Sequence, residues 1–419
     1  MLQVVFRGHE QAGFFVHAMT LGRNFDLLRV APGNKPPADE PYACVIAVRD
    51  YWRMHPGHCE RQGVPHFSAS VEPAILEDVR AGRALLLFDL TNEGPGLNVE
   101  IFDHLHAFLD RNGIDASRAV WLAQNRNMEA AYRAQYADKR SSLFTFEYYD
   151  FFVKVMAFNF SPKAPSPVFG AAPDDYIAKV YDQAAKDRVL LCLNATPRPH
   201  RVLTIAGLLH HGLFDDSLVS FPGLAYAKDA SSADAVMAYA AASPAYAHLR
   251  HSCVAAMALK DLRVDDFNEK GNQLFDKIDV KPYERTYFSI VTETEATNGN
   301  VSRITEKAAK AFCLGHPAFI VGNPRSSRFM TELGFQAYPG VIDADYEDVT
   351  DPGERFNLMF RRVRRQVRAV KELPAAWLNR VRGPGEANIR HAASGGFLQA
   401  YVDRYDRPVA ERLARMLAQ

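Results

Sequence analysis

The sequence lacks paired cysteines, a surplus of one charge, long apolar runs and internal repeats. Its five cysteines, Cys44, Cys59, Cys192, Cys253 and Cys313, stand apart with no CxxC pair. Several sit in apolar stretches such as LLCLN and AKAFCLG, so reduced, buried thiols are expected rather than a disulfide framework. Lysine plus arginine and aspartate plus glutamate both number 49, for a formal net charge of zero, and the overall balance gives no electrostatic case for nucleic acid as a partner. No apolar run approaches the length of a membrane span, and the start MLQVVFRGHEQ lacks the basic and then apolar order of a secretory signal. The expectation is a cytoplasmic protein.

What is present is an ordinary globular composition, 48% hydrophobic and 23% charged over 419 residues. A chain of this length exceeds what one hydrophobic core supports, so two domains are expected. In the first part LQVVF, ACVIAV, RALLLFDL and AVWLAQN are short apolar runs bounded by turn residues, and VEIFDHLHAFLDRNG has helical spacing with a glycine stop. The proline-rich stretch NFSPKAPSPVFGAAPDD breaks this rhythm, because proline removes backbone donors. The expected domains are therefore 1–165 and 176–350. The second repeats the alternation with RVLLCLN, the helix RVLTIAGLLHHG, SLVSF, YFSIVTET, the helix TEKAAKAFCLG and AFIVG. Strands alternating with helices of this length predict parallel sheets covered on both faces, hence an α/β fold of two Rossmann-like domains facing a cleft.

A helical segment is expected over 351–419. It begins with Phe356, Met359, Phe360, Val363, Val367 and Val370 on one stripe and Arg361, Arg362, Arg364, Arg365 and Arg368 mostly elsewhere. Packing of the stripe on the body is the first reading, and peripheral contact with an anionic membrane through the basic side is the second.

Two loops carry residues suited to an anionic ligand. At the junction RITEK, Thr305 is placed to cap a helix whose first-turn N–H groups and dipole face an anion. Lys307 adds a full charge for a diphosphate, and Glu306 can accept from sugar hydroxyls or merely complement the dipole. NATPRPHR follows a strand, its prolines stiffen the loop, and Arg198 and Arg201 supply forked donors for phosphate oxygens, unless they are only solvated. The segment MHPGHCERQGVPH offers His55, His58, Cys59 and His66, but the spacing matches no zinc pattern and the segment reads as a loop. IDADYEDV places Asp343 and Asp345 in a D-x-D spacing, read as an acidic loop in preference to a metal site.

The order NATPRPHR, YFSIVTET, RITEKAAKAFCLGHPAFIVG and LGF resembles the C-terminal half of the fucosyltransferase-type GT-B glycosyltransferases, over roughly a third of the chain, Leu191 to Phe335. The resemblance implies a GT-B-like enzyme that transfers a sugar, fucose or a related one, from a nucleotide-sugar donor to a hydroxyl of a glycan or lipid-linked glycan, by inversion and with no obligatory metal or cofactor. It implies that Glu306 holds the ribose and that Lys307 with Arg198 or Arg201 holds the diphosphate. Gly315 and Gly322 would permit close packing. The first domain would be the acceptor side, and its ESP segment with a general base would correspond to Glu93 in LLLFDLTNEGPG. Gly94 stands where that pattern has serine, and Asp89 and Asp103 are rival bases. Another enzyme of the same plan, such as a nucleotide-sugar epimerase or hydrolase, and a non-catalytic glycan- or nucleotide-binding protein are the alternative expectations.

Overall fold

The computed structural model describes residues 4–8, 14–21, 28–30, 40–48, 54–63, 66–170, 172–226, 232–264, 278–297 and 299–419. The chain divides into two compact units: Met1–Phe158 with Asn300–Arg303 and Leu398–Gln419, and Asn159–Gly299 with Ile304–Phe397. Each is an α/β unit of Rossmann-like architecture around a parallel sheet.

In the first unit the strands are β1 (Val4–Gly8), β2 (Leu28–Val30), β3 (Tyr42–Ala47), β4 (Ala84–Leu90), β5 (Ala119–Ala123) and β6 (Thr145–Tyr148). They lie in the order β2-β1-β3-β4-β5-β6, and every pairing is parallel. All seven residues of β4, ALLLFDL, are buried. That is why the strand reads as a continuous apolar run: a parallel strand covered on both faces has no solvent side to mark with polar residues. The helix Val99–Arg111 starts where the Asn98 side chain accepts from Ile101 N at 3.2 Å, and it buries Ile101, Phe102, Leu105, Phe108 and Leu109.

The second unit is built on β7 (Leu190–Leu193), β8 (Ser217–Ser220), β9 (Phe288–Thr292) and β10 (Ala318–Val321), in the order β10-β9-β7-β8 and parallel throughout. Its core joins Leu190, Cys192, Phe288, Ile290 and Phe319 of the sheet to Leu203 and Ile205 of the helix Pro199–His210. The stripe Phe356, Met359, Phe360, Val363, Val367 and Val370 of the helix Pro352–Glu372 is buried in the same core. Gly207 makes that approach possible, since a Cβ there would stand 2.5 Å from the Phe360 ring.

The helical stretch after Asp351 is divided between the two units. Pro352–Glu372 and Pro374–Ala393 belong to the second unit, whereas Val402–Asp406 and Arg407–Leu417 belong to the first. Apolar stripes settle on whichever core they can complete, so one helical run is shared between two units. On the basic side of Pro352–Glu372, Arg365 pairs with Asp343 at 2.5 Å and Arg362 pairs with Asp345. The D-x-D carboxylates are thus engaged by arginines. Among the described residues no helix is long and apolar enough to cross a membrane, and all five cysteines are free thiols in buried positions.

Candidate functional site

In the second unit the chain leaves β7 towards β8 on one side, while β9 and β10 lie on the other. The C-terminal ends of β7 and β9 therefore flank the point where strand order reverses, the place where open parallel sheets hold ligands. The loops leaving these two strands are NATPRPH and the segment that leads from Glu293 towards TEK.

Residue 293, the first after β9, ties these loops together. Its carbonyl oxygen accepts from His200 Nε2 at 2.9 Å and from Arg201 Nη2 at 3.1 Å. Its carboxylate accepts from Thr305 Oγ at 2.5 Å and from Ala308 N at 3.3 Å. Burial pushes the Glu293 carboxyl upward, against the opposing pull of Lys307 and Thr305. The strands are bridged nearby by Thr292 Oγ donating to Asn194 Oδ1 at 2.7 Å. Sequence reasoning missed Glu293 and His200. The signal for Glu293 was an acidic residue directly after the fully buried strand FSIVT, a position at the strand's ligand-facing end.

Arg198, Arg201, Thr305, Glu306 and Lys307 are brought together here. Arg201 is 3% exposed and also donates from Nη1 to Thr196 O at 3.0 Å, while its Nε has no hydrogen-bond partner among the described residues. Burial, then the neighbouring Arg198, pull its pKa down to about 10, although Glu293 and Glu306 counteract them. Arg198 donates to Thr294 O at 2.9 Å and keeps a partly exposed guanidinium. Burial, then the charge of Arg201, hold His200 at about 3, so the ring is neutral at physiological pH. A carbonyl only accepts, so His200 Nε2 carries the proton.

The TEK helix, Glu306–Cys313, begins at Thr305 as expected, with the Thr305 hydroxyl facing Lys307 N. Its N-terminus does not, however, present the open row of N–H groups the sequence suggested. The Glu293 carboxylate reaches Ala308 N, and Lys307 Nζ lies 2.6 Å from Glu306 Oε1. Glu306 is buried, which raises its carboxyl, but the charge and hydrogen bond of Lys307, with Lys310 beyond, outweigh this and hold it at about 2. The neighbouring helix end has no side-chain cap: Pro199–His210 begins at Arg198, Pro199 has no N–H of its own, and Arg201 N bonds Arg198 O at 2.9 Å. Gly315 has φ +62 and would bring a Cβ within 2.7 Å of Gly385 O, and a Cβ on Gly322 would stand 3.1 Å from Glu293 Cγ. Both are close-packing positions.

In the first unit Glu93 is exposed at the end of β4, in a turn where its N–H bonds Leu90 O at 2.8 Å and its carbonyl accepts from Gln124 N at 3.0 Å. At Gly94 a Cβ would lie 2.5 Å from Arg303 Cδ. Asp89 is fully buried. It accepts from Phe15 N at 2.8 Å, Thr91 Oγ at 2.7 Å and Thr91 N at 3.1 Å, and burial raises its carboxyl. These bonds tie Asp89 to Phe15 and to the turn at Thr91. Asp103 lies on the helix Val99–Arg111 and accepts from Tyr136 OH at 2.8 Å.

The histidine-rich segment expected to be a loop instead carries the helix Pro56–Gln62, which takes in His58 and Cys59, and its His55 and His66 serve as caps. His55 Nδ1 accepts from His58 N at 3.3 Å at the start of Pro56–Gln62, and His66 Nδ1 meets Ser68 Oγ at 2.8 Å at the start of Phe67–Ser70. Cys59 is buried. Among the described residues no group of three or more histidine, cysteine or acidic side chains is arranged to hold a metal ion. Comparison with models of known families, with curated proteins and with solved structures gave no match.

Proposed function

We propose that the protein is a glycosyltransferase of the GT-B type that takes a sugar from a nucleotide-sugar donor and places it, with inversion, on a hydroxyl of a glycan or lipid-linked glycan. The observation that carries this reading is the convergence of Arg198, Arg201, Glu306 and Lys307 at the reversal point of the second unit's sheet, with the two loops joined through residue 293. A helix N-terminus with no side-chain cap, a buried guanidinium whose Nε has no hydrogen-bond partner among the described residues, and the Lys307 ammonium beside them suit a diphosphate. Glu306, kept ionised by Lys307, is suited to accept from ribose hydroxyls.

In this reading the acceptor oxygen attacks the anomeric carbon as the bond to the diphosphate breaks, and the departing charge is stabilised by Arg198, Arg201, Lys307 and the helix end. Glu93 takes the hydroxyl proton as the new bond forms. No metal is required for charge neutralisation, because these groups supply it. The test is a thermal-shift panel of GDP, UDP, CMP and dTDP, in which a ligand at about 100 times its dissociation constant adds ~2.7 kcal/mol. The nucleotide that stabilises the protein should lose about 1.5 to 3 kcal/mol of binding in Arg198→Ala, the range for a charged hydrogen bond, with far-UV circular dichroism unchanged. No stabilisation by any nucleotide would overturn the donor site. Nucleotide binding without sugar transfer would make the chain a binding protein, and donor conversion without acceptor would make it an epimerase or hydrolase.

A further inference from the structure

The first unit holds a cavity of about 530 Å³ at the edge formed by β5 and β6, within the size range of small-molecule sites. Arginines enter it from three elements: Arg126 from the loop after β5, Arg404 from Val402–Asp406 and Arg412 from Arg407–Leu417. The carboxylates in the wall are Glu129 and Glu147. We propose that this cavity binds a sugar ring bearing an anionic group, a carboxylate or a phosphate. The inference concerns the first unit alone and does not rest on the donor site.

Three features of the wall support it. The Arg126 guanidinium lies over the Tyr148 ring at 4.9 Å and near the Tyr405 ring at 5.7 Å, and donates to the Tyr405 hydroxyl. A fork held in this way is pre-organised for a planar or tetrahedral oxyanion. The rest of the wall sets the polar groups of Asn125, Tyr148 and Tyr405 beside the apolar Trp121, Met128 and Phe146, a mixed surface that suits the hydroxyls and C–H faces of a sugar ring.

Arg404 and Tyr405 are turned into the wall by a π-helical turn, a costly local geometry that recurs at functional sites. The turn is anchored by Asp406, which is fully buried, accepts from Tyr149 OH at 2.8 Å and pairs with Lys154, itself fully buried. A buried ion pair contributes little to stability beyond what an apolar pair would give. Its position behind the arginine-bearing turn fits a role in holding that turn.

The cavity is also more cationic than the side-chain count suggests. Arg412 Nε lies 2.7 Å from Glu147 Oε1, yet burial pushes the Glu147 carboxyl up to about 7, with Glu129 adding to the rise and Arg412 and Arg415 opposing it. Near neutral pH Glu147 only partly offsets Arg412.

The test is calorimetric titration of the full chain with a glucuronic-acid oligosaccharide, a hexose 6-phosphate, the neutral glucose counterparts of both, and inorganic phosphate. At least one anionic sugar is expected to bind 10-fold or more tightly than its neutral counterpart and than phosphate, and the tighter arm assigns carboxylate or phosphate. Arg404→Ala, on an exposed side chain, and Arg126→Lys, which keeps the charge but removes the fork, should each weaken that binding at least 10-fold. Equal binding of neutral and anionic sugars in both arms, phosphate binding as tight as the tighter anionic sugar, no binding in any arm, or unchanged affinity in both variants would each overturn the proposal.

Discussion

Replacing Lys307 by methionine tests the geometry of the TEK junction and its proposed role together. Glu306 is almost buried, its side chain 11% exposed, and Lys307 Nζ sits 2.6 Å from its Oε1. Burial alone would raise the carboxyl, yet it is held at about 2 from an ordinary 4.5, chiefly by the charge and hydrogen bond of Lys307. At ~1.36 kcal/mol per pH unit the full drop corresponds to ~3 kcal/mol. The lysine is itself 25% exposed, so solvent screening reduces the expected loss on Lys307→Met at pH 7 to ~2 kcal/mol. A depressed carboxyl stabilises the fold above its unfolded value of 4.5 and loses that contribution as pH falls through about 2. Chemical denaturation at pH 7 should show the loss. The double variant Lys307→Met with Glu306→Gln should regain most of it, because no unpaired carboxylate then remains buried. Nucleotide affinity should stay weak in both, since neither has the ammonium. A single variant as stable as wild type, or a double variant no more stable than the single, would refute this account of the pair.

Glu93→Gln should leave nucleotide binding intact and lower sugar transfer by roughly 10²- to 10⁴-fold, the usual contribution of a general base. Transfer at the wild-type rate would remove Glu93 from that role. Turnover should survive EDTA and gain little from Mg²⁺ or Mn²⁺, because the proposed site neutralises phosphate with side chains and a helix end. Loss on chelation with rescue by Mn²⁺ would require a metal in the mechanism. Burial pushes Glu347 up to about 7, although it accepts from Ser327 N at 2.8 Å and Ser327 Oγ at 2.9 Å. A raised carboxyl stabilises the fold below 4.5 and loses that contribution as pH rises through about 7. Glu347→Gln should therefore gain stability on wild type between pH 5 and pH 8, by up to ~3 kcal/mol, in denaturation measured at each pH. An unchanged difference between the two proteins would show that this carboxyl does not titrate there.

Much of the candidate site was legible because its signals are local. A β-rich apolar run followed by a polar loop and a threonine marks a strand, a loop and a capped helix, and Phe288–Thr292 and Glu306–Cys313 formed where YFSIVTET and TEKAAKAFC placed them. The strand-to-helix junction at Arg198 followed in the same way from the run LLCLN and the prolines after it, although the helix begins at Pro199 and so takes Arg201 into its first turn. The basic stripe of Pro352–Glu372 was legible too, but its pairing with Asp343 and Asp345 was not, because charge periodicity says nothing about what faces it.

The amino-acid sequence by itself determined the alternation of strands and helices, the parallel α/β class and the residues at the strand ends, since each depends on periodicity, turn chemistry and caps within a few residues. Only the tertiary structure decided how the first turn of the Glu306 helix is closed. Glu293 and Arg201 are 92 positions apart in the chain, and no local pattern predicts that one residue closes the Glu306 helix with its carboxylate while its carbonyl holds Arg201. Strand order decided it as well: placing β7 beside β9 brought two loops to one reversal point. The arginine-lined cavity has the same origin, because Arg126 and Tyr405 lie 279 positions apart and meet only when the last helical turns pack on the first unit.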